Sequence, residues 1–414
     1  MPELPPSDTS DATTTHTKPS DSPGSDTQAG GTKTPATAST GLETLSADAT
    51  GAEAWAALGA AGLLTRAYQG GEIRDGIDPG GLADLLAASD SRCSIPATLS
   101  ASVQLATALP LLATGTGPAV ERTLRRVLTG RATLALAATD TTAGTDLTAL
   151  RTEVVLDDGS LTVSGGKEWI ANTTTAEAFL VLARHRPGRH FTNFSWILVP
   201  ADAPGVTTRP APSTLYASSG VGHVTFDAVR LDRAHIVGRV GLGLPLFARH
   251  IAVERLAGAL WGVALCRRVL EATRHHLAER AHGDVTLWHL PHIRQRFASC
   301  LVRVQELQSL ADRFGPDVAQ RHDPRAAATL KAAAGTTVPY VLGECAHLWG
   351  AAGFTDGGIQ EIRAQAALFG IGGGATEIVL ETLADSAGQI LEELARPTLQ
   401  PEWPSGFRVP AGAR

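Results

Sequence analysis

The sequence TDTTAGTD at Thr139–Asp146 marks the point at which the chain changes from a helical to a strand-like pattern. Gly144 allows the backbone to approach a ligand closely, because glycine carries no Cβ. Thr139 and Thr145 offer hydroxyl and backbone amide groups that suit carbonyl or phosphate groups of a ligand. Clusters of Thr, Gly and Asp also form ordinary loops, so this motif has to be interpreted together with its surroundings.

Strand patterns follow this motif. The segment Glu153–Leu156 runs into the turn signal at Asp157-Asp158-Gly159, and three later segments rich in β-branched and aromatic residues follow. Those segments are Phe179–Leu182, Phe194–Val199 and His223–Phe226. Because no helical pattern of useful length interrupts them, residues 131–240 are predicted to form an antiparallel sheet, as a β-barrel or a sandwich.

Helical patterns flank the strands on both sides. Apolar residues recur at helical spacing over 43–130, as at Trp55, Leu58 and Leu63. Residues 241–396 contain four long amphipathic stretches, which predict a four-helix bundle. The stretches are Ile251–Ala281, Ile293–Phe314, Ala326–Leu348 and Ala375–Leu394. The predicted fold class is therefore α+β, with an N-terminal helical domain, a middle β-barrel domain and a C-terminal helical bundle.

The two ends of the chain differ from the rest in composition. Residues 1–42 are mostly Thr, Ser, Pro, Asp and Gly, and residues 397–414 are rich in Pro and Gly. Such segments bury too little apolar surface to offset the entropy lost on ordering. We therefore expect two tails, of which the first is dispensable for folding.

Composition excludes several classes of function. A net charge of −6 gives no reason to expect a nucleic acid or an anionic membrane as partner. No run of about 18 uninterrupted apolar residues is present, and no basic-then-apolar secretion signal. The four cysteines are far apart in sequence, which predicts reduced core residues in a cytoplasmic protein. The spacing of His282, His289 and His292 matches no metal template, so no metal site is expected.

Several further motifs occur in a defined order. GKEWIAN stands at Gly166–Asn172, FDAVR at Phe226–Arg230, ER at Glu254-Arg255, and HLWGAAGF at His347–Phe354. Together with Thr139–Asp146, these resemble the ordered motifs of the acyl-CoA dehydrogenase superfamily, over roughly residues 50–395. Each motif is weak alone, whereas their order and spacing together indicate the fold.

The resemblance implies bound FAD and assigns contacts to it. Thr139, Gly144 and Thr145 resemble residues that contact the flavin, and Trp169 resembles the tryptophan that packs on its ring. Without the neighbouring motif, Trp169 would be read as a core residue. Ala171 stands where a threonine normally bonds the hydride-accepting nitrogen. His347, Gly350 and Gly353 resemble the site for the adenosine-diphosphate part of a neighbouring subunit's cofactor, which implies a homodimer or homotetramer.

The usual catalytic base is missing. Gly373 occupies the position of the family's usual glutamate, and glycine cannot abstract a proton. A minority of the family carries the base on the first bundle helix, directly before an arginine, and Glu254 stands there. The alternative is that Glu254 is a structural residue paired with Arg255 or with another neighbour.

The resemblance implies an FAD-dependent oxidoreductase that oxidises an acyl thioester at its α–β bond. The thioester is carried by CoA or by an acyl carrier protein, and the electrons pass to an acceptor flavoprotein or to oxygen. The altered site fits a specialised role in secondary metabolism. Two alternatives stay open: a flavin-dependent monooxygenase of the same superfamily, which needs no α-proton base, and a catalytically silent binding protein.

Overall fold

The structure is a computed structural model that describes residues 41–46, 48–141, 144 and 146–395. The predicted tails therefore lie outside the described residues, except for Gly41 and Leu42. Thr145 of the first motif also lies outside them. Leu42 is buried against the core of the N-terminal helices. The folded region thus includes a residue that composition alone had assigned to the tail, because a single leucine hardly changes the composition of a polar segment.

The N-terminal part is helical, as predicted. Its first helix begins at a capping box, in which Thr50 and Glu53 satisfy each other's backbone amides. The third and fourth helices continue one another through a π-helical turn at Gln104–Ala108. The helices are α1 (Gly51–Ala60), α2 (Pro79–Arg92), α3 (Ile95–Val103), α4 (Leu109–Leu112) and α5 (Pro118–Leu128).

The middle part is a single sheet with strand order β6-β7-β3-β2-β4-β5-β8, and β1 pairs with β4. The longest strands, β3 and β7, pair antiparallel over most of their length. The strands are β1 (Leu134–Ala137), β2 (Glu153–Leu156), β3 (Ser160–Ile170), β4 (Ala178–Arg184), β5 (Phe194–Pro200), β6 (Val206–Pro210), β7 (Gly222–Asp232) and β8 (Ile236–Val237).

The predicted β-barrel is wrong, because the sheet is not closed. Among the described residues β6 pairs only with β7, and β8 contributes two residues that pair only with β5, so the two edges do not meet. The sheet is also not purely antiparallel, since β1 and β2 both run parallel to β4. Alternating residue patterns cannot reveal this direction, because strands in either orientation alternate their faces.

The C-terminal part is helical, but as far as residue 395, where the described residues end, it contains three long helices rather than four. The stretch predicted as one helix over Ala375–Leu394 is divided at Ser386. The hydroxyl of Ser386 donates to the carbonyl of Thr382, four residues earlier, and such side-chain bonds to the backbone compete with helical hydrogen bonds. The helices are α6 (Gly243–Glu279), α7 (Pro291–Arg321), α8 (Pro324–Trp349), α9 (Ile359–Gln365), α10 (Leu368–Ile371), α11 (Thr376–Asp385) and α12 (Ala387–Ala395). A small ribbon of β9 (Ala281–His282) and β10 (Val285–Thr286) follows α6.

A buried polar contact fixes α6 against the N-terminal helices. The carboxylate of Asp90 on α2 is 2% exposed and accepts hydrogen bonds from Trp261 Nε1 at 3.0 Å and Arg268 Nε at 2.6 Å. Hydrogen bonds to an ionised carboxylate are stronger than neutral ones. The position of α6, which carries Glu254, is therefore set by the N-terminal helices as well as by the bundle.

Two segments are long and apolar enough to cross a membrane by length and composition, namely Ile95–Leu112 and Ile359–Asp385. The first is 83% buried inside the protein. The second is divided among α9, α10 and α11. A core helix of a soluble protein passes the same test, so these segments do not by themselves indicate a membrane.

Candidate active site

Glu254 lies on α6 and faces the π-helical turn between α3 and α4. Its Oε2 atom accepts a hydrogen bond from the hydroxyl of Thr107 at 2.8 Å. Burial raises the pKa of Glu254, while the Thr107 hydrogen bond and the charges of Arg255 and Lys331 lower it in part. Short π-helical segments often occur at functional sites, and here the segment supplies the hydroxyl that orients the carboxylate.

Gly373 lies beside Glu254. A Cβ added to Gly373 would lie 4.0 Å from Glu254 Oε1, 3.6 Å from Arg255 Cγ and 3.8 Å from Lys331 Cε. The carbonyl of Gly373 accepts a hydrogen bond from Arg255 Nε at 3.0 Å. Arg255 therefore fixes the loop that contains Gly373, while the hydrogen-bond partner of Glu254 is Thr107.

Lys331 on α8 completes the charged group and was not predicted as a site residue. Its side chain is buried, and Nζ donates to the carbonyl of Phe369. Burial and then the charge of Arg255 lower its pKa to about 8, although Glu254 acts in the opposite direction. The sequence held one signal for this residue, because lysine is rare in the chain, at Lys18, Lys33, Lys167 and Lys331 only.

An apolar cleft adjoins Glu254. The cavity has a volume of about 40 Å³ and is lined by Leu99 and Val103 of α3 and by Gly258 and Trp261 of α6, together with Lys331 and Gly372. A carboxylate at the edge of a small apolar cavity is suited to removing a proton from a ligand bound there, because burial makes the carboxylate more basic.

Trp169 lies near the end of β3 and exposes its ring. It is 56% exposed and has a φ of 56°, which a bulky residue rarely adopts. The register between β3 and β7 shifts between Lys167 and Ile170, so the strand is irregular at this point. The ring of the buried His223 packs edge-on against Trp169 at 5.6 Å, and both of its ring nitrogens lack a hydrogen-bond partner among the described residues. Trp169 is therefore not a core tryptophan.

The two flavin motifs predicted from the sequence are adjacent. The backbone amide of Glu168 donates to the carbonyl of Thr139 at 3.2 Å. Lys167 is fully buried, and its Nζ donates to the carbonyl of Ala138 at 2.8 Å, while burial lowers its pKa to about 7. Gly144 is exposed, and nothing lies within 4 Å of a Cβ placed on it.

Ala171 and Asn172 connect this region to the apolar cleft. Ala171 is partly buried, and the buried Asn172 next to it accepts a hydrogen bond from Ser100 Oγ at 2.5 Å and donates to the Leu134 carbonyl at 3.2 Å. Ser100 lies on α3, between the cleft residues Leu99 and Val103. The loop after β3 and the cleft are thus in contact with the same segment of α3.

His347, Gly350 and Gly353 lie at the far end of α8. His347 and Gly350 are exposed, whereas Gly353 is buried against Ile359. At 1.5 Å per residue, His347 is about 24 Å along α8 from Lys331. Within one chain the structure therefore does not bring these residues together with Glu254.

Two domain profiles of one family match the chain. The profile of the acyl-CoA dehydrogenase middle domain matches residues 135–229, and that of the acyl-CoA dehydrogenase C-terminal domain matches residues 241–388. The chain is 28% identical over 339 residues to the acyl-[acyl-carrier-protein] dehydrogenase MbtN of Mycolicibacterium paratuberculosis, covering 79% of this chain and 84% of the relative. It is 25% identical to cyclohex-1-ene-1-carbonyl-CoA dehydrogenase of Geobacter metallireducens, covering 65% and 72%.

Solved structures share the fold. The FAD complex of PigA superposes with a TM-score of 0.76 at 19% identity, covering 82% of this chain and 90% of the other. The prolyl acyl carrier protein oxidase AnaB superposes with a TM-score of 0.75 at 18% identity, covering 82% and 92%. The fold, the order of the motifs and both domain profiles agree: this chain is a member of the acyl-CoA dehydrogenase superfamily.

Proposed function

We propose that this protein is an FAD-dependent dehydrogenase of acyl thioesters in which Glu254 is the catalytic base. The observation that carries the proposal is the position of the Glu254 carboxylate, at the edge of an apolar cleft and beside Gly373. Glu254 and Gly373, which stands at the position of the family's usual base, face the same point from two different elements. A substrate proton within reach of a carboxylate at position 373 is therefore also within reach of Glu254.

Glu254 has the properties of a general base. Burial raises its pKa above the usual value for a glutamate, which makes the carboxylate a stronger base. Thr107 holds one oxygen at 2.8 Å, so the other oxygen is the one that faces Gly373 and the cleft. In the proposed reaction that oxygen accepts the proton from the carbon α to the thioester.

The residues around Trp169 fit a flavin. An exposed aromatic ring at an irregular strand end gives a planar surface for stacking. Neither imidazole nitrogen of His223 has a hydrogen-bond partner among the described residues, although the Glu168 carboxylate lies 4.0 Å from Nδ1, and the heteroatoms of a flavin offer such a partner. Bound there, FAD would accept the hydride from the β carbon of the acyl group.

The substrate is proposed to be an acyl thioester on CoA or on an acyl carrier protein, and an electron-accepting flavoprotein or oxygen would take the electrons. Carrier-bound substrates are supported by the relative MbtN and the structural neighbour AnaB, both named for carrier-protein chemistry. A specialised role in secondary metabolism forms part of the same proposal. Because the apolar cleft is small, we expect short or branched acyl groups to fit better than long chains.

A flavin titration without oxygen tests this function. The purified, FAD-loaded protein is mixed with short acyl thioesters on CoA or on a carrier protein, and flavin absorbance is followed. We expect bleaching by at least one thioester, and the carrier that bleaches it faster identifies the natural one. Flavin that only a reductase can reduce would favour the monooxygenase, and a protein without flavin affinity would favour the silent alternative.

The Glu254→Gln variant tests the base. It keeps the size of the side chain but removes its basicity, so FAD binding should persist while flavin reduction slows by about a hundredfold or more. Glu271→Gln is a matched control, because Glu271 lies on the same helix and is largely exposed. Equal rates in Glu254→Gln and the wild type would refute the assignment.

We also propose a homodimer or a homotetramer. The distance between Glu254 and the His347–Gly353 region along the bundle suits contacts to two different cofactors, one of them bound in a neighbouring subunit. Large apolar side chains are exposed in the C-terminal part of the bundle, as expected for a surface that another subunit covers. They are Phe354, Ile371, Ile378, Leu380, Leu391 and Leu394. Light scattering that finds a monomer with FAD bound would contradict this proposal.

A cytoplasmic location is the remaining part of the proposal. All four cysteines are free and buried. The neighbouring thiol of Cys345 raises the pKa of Cys300, so the two side chains lie close together, and neighbouring thiols are readily joined where the surroundings are oxidising. This pair supports a reducing compartment, and fractionation of cells that express the protein tests it.

A further inference from the structure

A second cavity lies about one turn of α6 before the apolar cleft. Its volume is about 270 Å³, close to the lower end of ligand pockets, which begin at roughly 300 Å³. His250 and Val253 of α6 line this cavity, whereas Glu254 and Gly258 line the cleft. The two cavities share no lining residue, so the second is not part of the cleft proposed for the acyl group.

The cavity contains imidazole groups without partners. His250 is 6% exposed, and neither of its ring nitrogens has a hydrogen-bond partner among the described residues. His322, at the end of α7, packs against it at 6.0 Å between ring centroids, and its Nδ1 is unpartnered as well. Buried polar groups in proteins are nearly always hydrogen-bonded, so these atoms point to a partner that enters the cavity.

One unpaired cation stands at the same cavity. Arg74 also lines it, but its guanidinium is bonded to Glu121 and to the carbonyls of Ala113 and Gly115. Arg249 is exposed and forms no ion pair or side-chain hydrogen bond within the part of the chain that the structure describes. The cavity thus offers a single uncompensated positive charge, next to the neutral donors of the histidines.

The remaining walls are apolar and include Ile73, Ile77, Pro110 and Val253. We propose that this cavity binds a small organic carboxylate, whose oxygens accept hydrogen bonds from Arg249 and His250 and whose hydrocarbon part packs against Ile77 and Pro110. A carboxylate carries one negative charge, which matches the one unpaired guanidinium, whereas a phosphate carries about −1.5 to −2 at neutral pH. Arginine binds carboxylates with paired hydrogen bonds.

His250 can donate to such a ligand while it is neutral. Burial, and then the charges of His322 and Arg249, lower its pKa to about 3. A neutral imidazole keeps one N–H donor and one acceptor nitrogen. A carboxylate therefore finds a donor in the ring without requiring a buried imidazolium.

Calorimetric titration of the full-length protein tests this site. The probes are sodium butyrate and inorganic phosphate, each at ionic strength matched with sodium chloride. We expect saturable binding of butyrate, and a Kd that rises roughly tenfold or more in Arg249→Gln, because hydrogen bonds to charged groups contribute about 1.5–3 kcal/mol. Arg249 is exposed, so its replacement should not affect folding; His250→Asn is the second, buried variant and should weaken binding in the same direction.

Two controls separate this cavity from other places where butyrate can bind. Arg267→Gln removes an exposed arginine elsewhere on α6 and should leave the Kd unchanged. Gly258→Leu fills the apolar cleft beside Glu254 and should also leave it unchanged. The proposal is overturned if the wild type shows no saturable butyrate binding, if phosphate binds and butyrate does not, if Arg249→Gln binds butyrate as tightly as the wild type, or if Gly258→Leu abolishes binding.

Discussion

Oε1 of Glu254 lies 4.0 Å from the point at which a Cβ on Gly373 would stand. One residue belongs to the long helix α6, and the other belongs to the loop between α10 and α11. A carboxylate carried by either element would therefore reach the same part of the cleft. This convergence explains how the proposed site can keep a base although a glycine stands where the resemblance to the family places the usual glutamate.

The base can be moved from one element to the other. In the double variant Glu254→Gln/Gly373→Glu, we expect flavin reduction by substrate to recover partly relative to Glu254→Gln alone. Recovery should be partial, because Gly373 has a φ of 73°, and a non-glycine residue in this region costs about 1–3 kcal/mol. Anaerobic stopped-flow absorbance measures the rate.

Glu254→Gln/Gly372→Glu is the matched control, since it places the new carboxylate one residue away in the same loop. It should reduce flavin no faster than Glu254→Gln. If Glu254→Gln/Gly373→Glu binds FAD but reduces it no faster than Glu254→Gln, a carboxylate at position 373 does not reach the proton that Glu254 is proposed to remove.

Glu254 should reduce stability at neutral pH. Its folded-state pKa is raised by burial above the ordinary 4.5, so the native state holds the proton to higher pH than the unfolded state does. Stability then falls as the pH rises from about 4.5 through the folded-state pKa. We therefore expect Glu254→Gln to melt at a higher temperature than the wild type at pH 7, with a difference that shrinks below pH 4.5. Differential scanning calorimetry across this range measures it, and an unchanged difference would contradict the assigned shift.

The pH dependence of catalysis should move in a defined direction when the partners of Glu254 are removed. Lys331 and Thr107 both favour the ionised carboxylate, so Lys331→Met and Thr107→Val should each raise the pKa of Glu254 further. The ascending limb of the pH–rate profile should shift to higher pH in both variants. A profile that keeps its midpoint in both variants would show that a different group limits the rate.

Much of the architecture was predictable because the period of the apolar residues reports helices and strands directly. The open sheet was not predictable in the same way. Periodicity does not describe the parallel direction of β1 and β2 relative to β4, nor the pairing of the sheet edges, which decides whether a sheet closes into a barrel. The break at Ser386 was missed for a related reason, because an apolar pattern continues across it. Lys331 and Thr107 were missed because they meet Glu254 only in three dimensions. The domain limits and the assigned site residues stay predictions.

The N-terminal boundary gives a test of folding. Removing residues 1–40 should leave the melting temperature nearly unchanged, because their composition contributes little to a core. Leu42 is 1% exposed, so Leu42→Ala should lower the free energy of unfolding by about 2–5 kcal/mol, the range found for buried leucines. Urea denaturation of both variants measures these effects. A large loss in the truncated protein would show that the first forty residues dock on the folded part.

The proposed stacking surface for the flavin is the last feature that can be tested by itself. Trp169 is 56% exposed, and neither nitrogen of the adjacent His223 has a hydrogen-bond partner among the described residues. We expect Trp169→Ala to raise the Kd for FAD by about two- to tenfold, since aromatic pairs contribute about 0.5–1.5 kcal/mol beyond their buried area.

His223→Phe keeps an aromatic ring at this position but removes both nitrogens. It should therefore shift the absorbance maximum or the reduction potential of the bound flavin while Trp169 still stacks. Phe191→Ala, which removes another exposed aromatic ring, is the control and should change neither quantity. Fluorescence titration and spectroelectrochemistry measure the two effects. A His223→Phe protein with unaltered flavin spectrum and potential would show that His223 does not contact the cofactor, whereas an unaltered Kd in Trp169→Ala would remove Trp169 from the flavin site.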